Sequence, residues 1–204
     1  MKKIILLILL AVSLRVEAQP NKDSLLIANG AELIQEMRMM WNYDQAVREY
    51  IRYQTFDKHF TDSVELLNDT LRERLVDSIR LSATNSKKVW DNYISPADNL
   101  HAKRMIEIIK TYGFPSKKRI ETLTNIKLDY DPYILLMHTP KVYCDELKVL
   151  IEAERKIGNI PNQCEYGYIL WHLNGRNNIS YFLENGFVME DQNGSKKIIR
   201  KHCD

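Results

Sequence analysis

The sequence predicts a mainly α fold, a single-domain helical bundle-like body carrying a small C-terminal β-hairpin. Three observations point there. Apolar residues recur at spacings of three and four through most of the chain. Ser-Pro, Tyr-Gly and Thr-Pro steps punctuate those runs where helices start and stop. Only past residue 179 do short β-rich segments alternate with Asn-Gly turn signals.

Taken in order, the first helix is expected from Asp23 to about Trp41. Leu26, Gly30, Leu33, Ile34, Met37 and Trp41 line one face of it, and Gly30 permits a close crossing. A second helix is expected to start near Asp44, with Val47, Tyr50 and Ile51 as its apolar side. Thr61 to Leu81 reads as one long helix with the stripe Val64, Leu67, Leu71, Leu75 and Ile79, opened by capping-box spacing at Asp62 and Glu65. Ser95-Pro96-Ala97-Asp98 places Ser at an N-cap, Pro at the first helical position and an acid at the third. That helix should close at Tyr112-Gly113, and Pro115 prevents its resumption. Residues 116–130 read equally as helix or extended chain. Asp131-Pro132 opens a short apolar helix over Tyr133 to His138. Thr139-Pro140 opens the next, with Tyr143, Leu147, Leu150 and Ile151 inward and Gly158 closing it. Gln163 to Leu173 is a further helix. Ile179–Leu183, Phe187–Glu190 and Lys196–Arg200 read as β-segments, with the hairpin over about 179–200 and Asn193-Gly194 as a turn.

The N-terminus reads as an export signal. Met1-Lys2-Lys3 is a positive n-region, Ile4 to Leu14 is apolar apart from Ser13, and Val16-Glu17-Ala18 precedes the expected cleavage point. The apolar run is shorter than the roughly 20 residues of a membrane span. The organisation expected is therefore a signal peptide over 1–18 and one domain over 19–204, with no membrane span after cleavage and a periplasmic or secreted location. Loss of Lys2, Lys3, Arg15 and Glu17 leaves 26 basic and 26 acidic residues. A nucleic-acid footprint needs a basic excess, so no nucleic-acid partner is expected.

Three cysteines follow that segment, Cys144, Cys164 and Cys203. The connection between their two helices is short, so these should run antiparallel. Cys144 then lies about 20 Å from the start of the next helix, at 1.5 Å per residue, and a disulfide needs Cα atoms within about 7 Å. Any bridge should therefore use Cys203, with Cys164–Cys203 slightly preferred; three reduced thiols remain the alternative.

Candidate chemistry is sparse. There is no Gly-rich phosphate loop, H-E-x-x-H, C-x-x-C or G-x-S-x-G. Neither a metal nor a cofactor is expected. None of the five histidines has another at i+3 or i+4. Asp98 reads as a cap, and His101 falls in register with Met105 and Ile108 as a satisfied core histidine. Cys144 sits early in a helix, where a nucleophile would gain from the dipole, although burial is the simpler reading. Asp44 and Arg48 stand at i and i+4 beside Gln45. On spacing alone they make a cap and a surface ion pair.

A longer pattern adds to this. Asp44-Gln45 with Arg48, then Tyr112-Gly113-Phe114-Pro115, then Met137-His138 after an apolar run, occur in that order. The arrangement resembles an uncharacterised bacterial family catalogued as domain of unknown function 6624, over roughly residues 31–186. That family shows D-Q-x-x-R, then G-W-P, then an apolar helix ending in Q-H, then Y-A-Y-L-x-D-R and Y-G-T-Q. Here Phe114 replaces the Trp and Met137 the Gln. Tyr166-Gly167-Tyr168-Ile169-Leu170 fits the start of the fourth motif, with Trp171-His172 near the place of Asp-Arg. The last motif has no counterpart around Leu183 to Gly186. If these segments build a polar site in the family, part of it is replaced here.

The candidate polar site is therefore Asp44, Gln45, Arg48 and His138. The function expected is an exported binding or interaction module for a protein or small-molecule ligand. The alternative is a small periplasmic hydrolase using His138 as general base. Convergence of His138 with Asp44 or Cys144 in a cleft would favour the enzyme; separated or apolar-packed side chains would favour the module.

Overall fold

In the computed structural model the described residues are 22–192 and 194–203. The signal-peptide expectation for 1–18 lies outside them, and no helix among the described residues is long and apolar enough to cross a membrane. The fold is mainly α with one two-stranded antiparallel hairpin.

Helix α1 (Lys2–Tyr53) is the spine. Leu26, Leu33, Ile34, Met37 and Met40 are buried along one stripe, as their spacing requires. The expected break between Trp41 and Asp44 does not occur. Asp44 extends the stripe one turn beyond Met40, so it is an interior residue, 3 % exposed, and not a cap. Gly30 lies where α1 meets α6: a Cβ there would come within 2.5 Å of Thr124 Cγ2. The bare backbone is what lets the two helices approach.

The region expected as one helix over 61–81 is two. Helix α2 (Lys58–Glu65) is capped by Asp57, whose carboxylate accepts from His59 and Phe60 N–H, so the cap lies upstream of the Asp62–Glu65 pair. Helix α3 (Asp69–Ile79) restarts at Asn68, whose Oδ1 accepts from Leu71 N–H. A side chain that satisfies a first-turn donor starts a helix, and this one overrides the apolar periodicity. The stripe is broken as a result: Val64 is buried, but Leu71 is 49 % exposed and α3 buries no residue.

Helix α4 (Ala83–Val89) runs through a π-helical segment, Trp90–Ile94, into α5 (Ser95–Tyr112). Ser95 is therefore inside a continuous helix, with helical backbone angles, and no side chain caps the start of α5. Pro96 has no N–H and its ring crowds the carbonyl four residues back. The wider π turn immediately before it accommodates both defects.

Gly113 ends α5 at φ +77°. A Cβ there would meet Asn159 Nδ2 at 2.7 Å and Glu154 Oε2 at 3.0 Å. Glu154, 3 % exposed, is the hub of a buried network. It accepts from Phe114 N–H at 2.8 Å, from Lys22 Nζ at 2.8 Å and from Asn159. Arg119 pairs with Asp23 beside it and donates to Phe114 O. The Gly-Phe-Pro step thus joins α1, at Lys22 and Asp23, to α6 and α7.

Residues 116–130 resolve into α6 (Lys117–Thr124), capped by Ser116 and closed by Asn125 at φ +57°, and a helix-free stretch to Asp131. A 3-10 turn (Pro132–Leu136), α7 (Lys141–Lys156) and α8 (Gln163–Leu173) follow as expected. Leu135, Leu136, Leu147, Ile151, Ile169 and Leu173 join the α1 and α5 stripes in one core. The expected β-segment at 179–183 is instead a helical turn, α9 (Ser180–Leu183), started where Asn178 Oδ1 accepts from Ser180 N–H. Strands β1 (Phe187–Gln192) and β2 (Ser195–Arg200) pair from Phe187↔Arg200 to Gln192↔Ser195. Phe187 and Phe182 pack with Tyr168 and Trp171, and a Cys164–Cys203 disulfide ties the hairpin's exit to α8.

Candidate functional site

The continuation of α1 past Met40 aims Asp44 into the protein and Arg48 along the same face one turn later. Arg48 Nε donates to Asp44 Oδ1 at 2.9 Å, and Gln45 Nε2 donates to Asp44 Oδ2 at 2.8 Å. His138, delivered by the 3-10 turn, brings Nδ1 to 2.9 Å from Asp44 Oδ1. All four candidate residues therefore meet, although 94 positions separate Asp44 from His138. Buried Asp44 is the organising group, while the His138 side chain is 25 % exposed.

Helix α5 adds two residues that the sequence reading treated as structural. Asp98 Oδ1 accepts from Arg48 at 2.5 Å, so it is an ion-pair partner of Arg48 and does not cap α5. His101 is half-buried beside the cluster, edge-on to Tyr43. Trp90, from the π segment, lies under the Arg48 guanidinium at 5.2 Å. The signal for Asp98 was its i, i+4 register with buried Ala102. The preceding Ser-Pro masked it by imitating a helix start.

The two carboxylates on Arg48 are pushed in opposite directions. Burial acts to raise Asp44, but the His138 hydrogen bond and the charges of His138 and Arg48 outweigh it, so its pKa falls below the ordinary value. Asp98 has no such histidine bond, and burial raises its pKa against the pull of Arg48. Burial also lowers His101, which favours its neutral form.

His172 does not join the cluster. It fixes the peptide that carries His138. Arg176 Nε donates to His172 Nδ1 at 2.7 Å and its Nη2 donates to Met137 O; His172 Nε2 lies 3.3 Å from Thr139 O. Accepting at Nδ1 leaves the proton on Nε2, which donates to that carbonyl. Burial and the Arg176 charge push the His172 pKa down to about 4, in keeping with a neutral ring. The carbonyls on both sides of His138 are thus held by one pair, with Arg176 at φ +65° to reach them. Cys144 is buried with Sγ 3.7 Å from Pro140 O, and burial raises its pKa, the opposite of an activated nucleophile.

No family model, curated protein or solved structure matches this chain.

The chemistry open to the site follows from its donors. Asp44, Asp98 and His138 place three ligand-type atoms within 4.8 Å of one another. Arg48 already supplies a cation to both carboxylates, so a metal ion there would have to displace it. In the neutral tautomer that donates Nδ1–H to Asp44, His138 presents Nε2 as an acceptor with no partner among the described residues. One guanidinium balances only one of two ionised carboxylates, so Asp44, Asp98 and Arg48 together carry a net negative charge.

Proposed function

We propose that this chain is an exported binding module, and that its ligand site is the Asp44–Arg48–His138 cluster with Gln45 and Asp98. One observation carries the reading. A polar network built from three separate segments presents a partly exposed acceptor, His138 Nε2, beside a buried carboxylate. The ligand class suited to it is a small molecule presenting a hydrogen-bond donor, an ammonium or a hydroxyl, since two carboxylates outnumber the one guanidinium. Export rests on residues 1–18, and intact mass of periplasmic material lacking them would support it. Kinship with the domain of unknown function 6624 family is part of the proposal. It is supported by the meeting of Asp44, Arg48 and His138, three of the residues that carry the resemblance.

A second reading is favoured by the 2.9 Å Asp44–His138 contact, because a carboxylate on Nδ1 orients an imidazole as a general base. In that case the chain is a small hydrolase activating water at Nε2. Thermal-shift screening of amines, amino acids and sugars, alongside turnover of activated esters, separates the two. Binding without turnover, lost in His138→Ala, supports the module. Turnover lost in both His138→Ala and Asp44→Asn supports the hydrolase. Binding and turnover that are both unaffected by His138→Ala refute the site.

A further inference from the structure

The segment after His138 carries two polar features that the Asp44 cluster does not use. Helix α7 opens on Pro140, whose side chain accepts nothing, so its first N–H groups have no side-chain cap. Immediately before it, Thr139 is 6 % exposed, and its Oγ1 is the one buried side-chain polar atom among the described residues with no hydrogen-bond partner. Buried hydroxyls are normally paired. An uncapped 16-residue helix start and an orphaned hydroxyl thus adjoin each other along the chain.

Both line a cleft of about 510 Å³. Lys141, Lys148 and Arg176 also line it, against one carboxylate, Asp145. The Asp145 side chain is 97 % exposed and pairs with Lys148 at 3.1 Å, at the outer edge of the cleft. His172 contributes a neutral ring, its Nδ1 taken by Arg176. The lining is therefore net cationic, and it begins at the N-terminal turn of α7, where the helix dipole is positive.

We propose that this cleft binds a phosphate-type oxyanion, either the free ion or the phosphoryl group of a small monoester. The Lys141 and Val142 N–H groups at the start of α7 and Thr139 Oγ1 donate to its oxygens (the Tyr143 N–H is taken by Pro140 O at 3.0 Å), and Lys141 and Lys148 balance its charge. The cleft is larger than the ion alone needs, which leaves room for an ester's body. This site stands apart from the Asp44–His138 cluster, whose residues do not line the cleft.

The test is calorimetric titration of the full chain with inorganic phosphate and, separately, with phenyl phosphate. Thr139→Val keeps the shape of the side chain and removes the hydroxyl. Because Oγ1 has no partner in the protein itself, this variant should melt no lower than the parent, while anion affinity falls about tenfold or more. The Lys141→Gln/Lys148→Gln double variant should weaken binding similarly and flatten its salt dependence. Equal affinity for the two probes assigns the free ion; clearly tighter phenyl phosphate assigns a monoester. Absence of binding by either probe at concentrations up to about 10 mM, or parental affinity in both variants, overturns the proposal.

Discussion

Replacing Asp44 by alanine tests the site and the fold together. Asp44 is 3 % exposed and accepts hydrogen bonds from Arg48, His138 and Gln45. Removing one member of a buried ion pair costs about 3–5 kcal/mol, because the remaining charge loses its partner. Arg48 keeps Asp98 at 2.5 Å and is itself 19 % exposed, which places the expected loss near the lower bound, about 3 kcal/mol. Urea denaturation at pH 7 measures it. The pH dependence follows from the lowered Asp44 pKa. A carboxylate whose folded value lies below its unfolded 3.8 stabilises the fold fully above that pH and loses this contribution as pH falls through the folded value. The gap between parent and Asp44→Ala should therefore be constant above about pH 5 and narrow below pH 4. A loss under about 1 kcal/mol at pH 7, or a gap unchanged down to pH 3, would mean that the network is a surface ion pair after all.

Two further outcomes follow from the packing. Leu147→Ala, at a fully buried position, should cost about 2–5 kcal/mol, whereas Leu71→Ala, half-exposed on α3, should cost under about 1 kcal/mol; comparable losses in denaturation would refute the broken stripe. Reducing Cys164–Cys203 opens a closure of 39 residues and should lower stability by about 4 kcal/mol on the chain-entropy account, read as the difference between denaturation curves with and without reductant.

What could be read from the sequence was governed by how local the cause is. The α1 stripe, the Gly113 stop and α8 were legible because apolar spacing and helix punctuation act within a turn or two. Asn68 obeys the same local rule inside the stretch expected as one helix over 61–81: a capping side chain within an apolar period splits the helix. Ser95-Pro96 failed in the other direction. Its start signal is correct for an isolated segment, but a π turn absorbed the proline and the helix ran through. The candidate residues Asp44, Gln45, Arg48 and His138 could be chosen only through the family resemblance, since contact across 94 positions has no local signature. Asp98 and the His172–Arg176 pair were harder still, being recognisable only by the groups they face across helices.

The unbroken course of α1 has a mechanical consequence. Lys22 and Asp23, near one end of its described part, are gripped by Glu154 and Arg119; Asp44 and Arg48, near the other, hold His138 and Asp98. At 1.5 Å per residue, about 39 Å of continuous helix joins Lys22 to Arg48. A helix advances about 100° per residue, so a slip of one position in the anchorage at the first end would swing Arg48 away from both carboxylates at the second. The Glu154 network therefore acts as a torsional lock, setting the angular phase of the helix for a site that it does not touch.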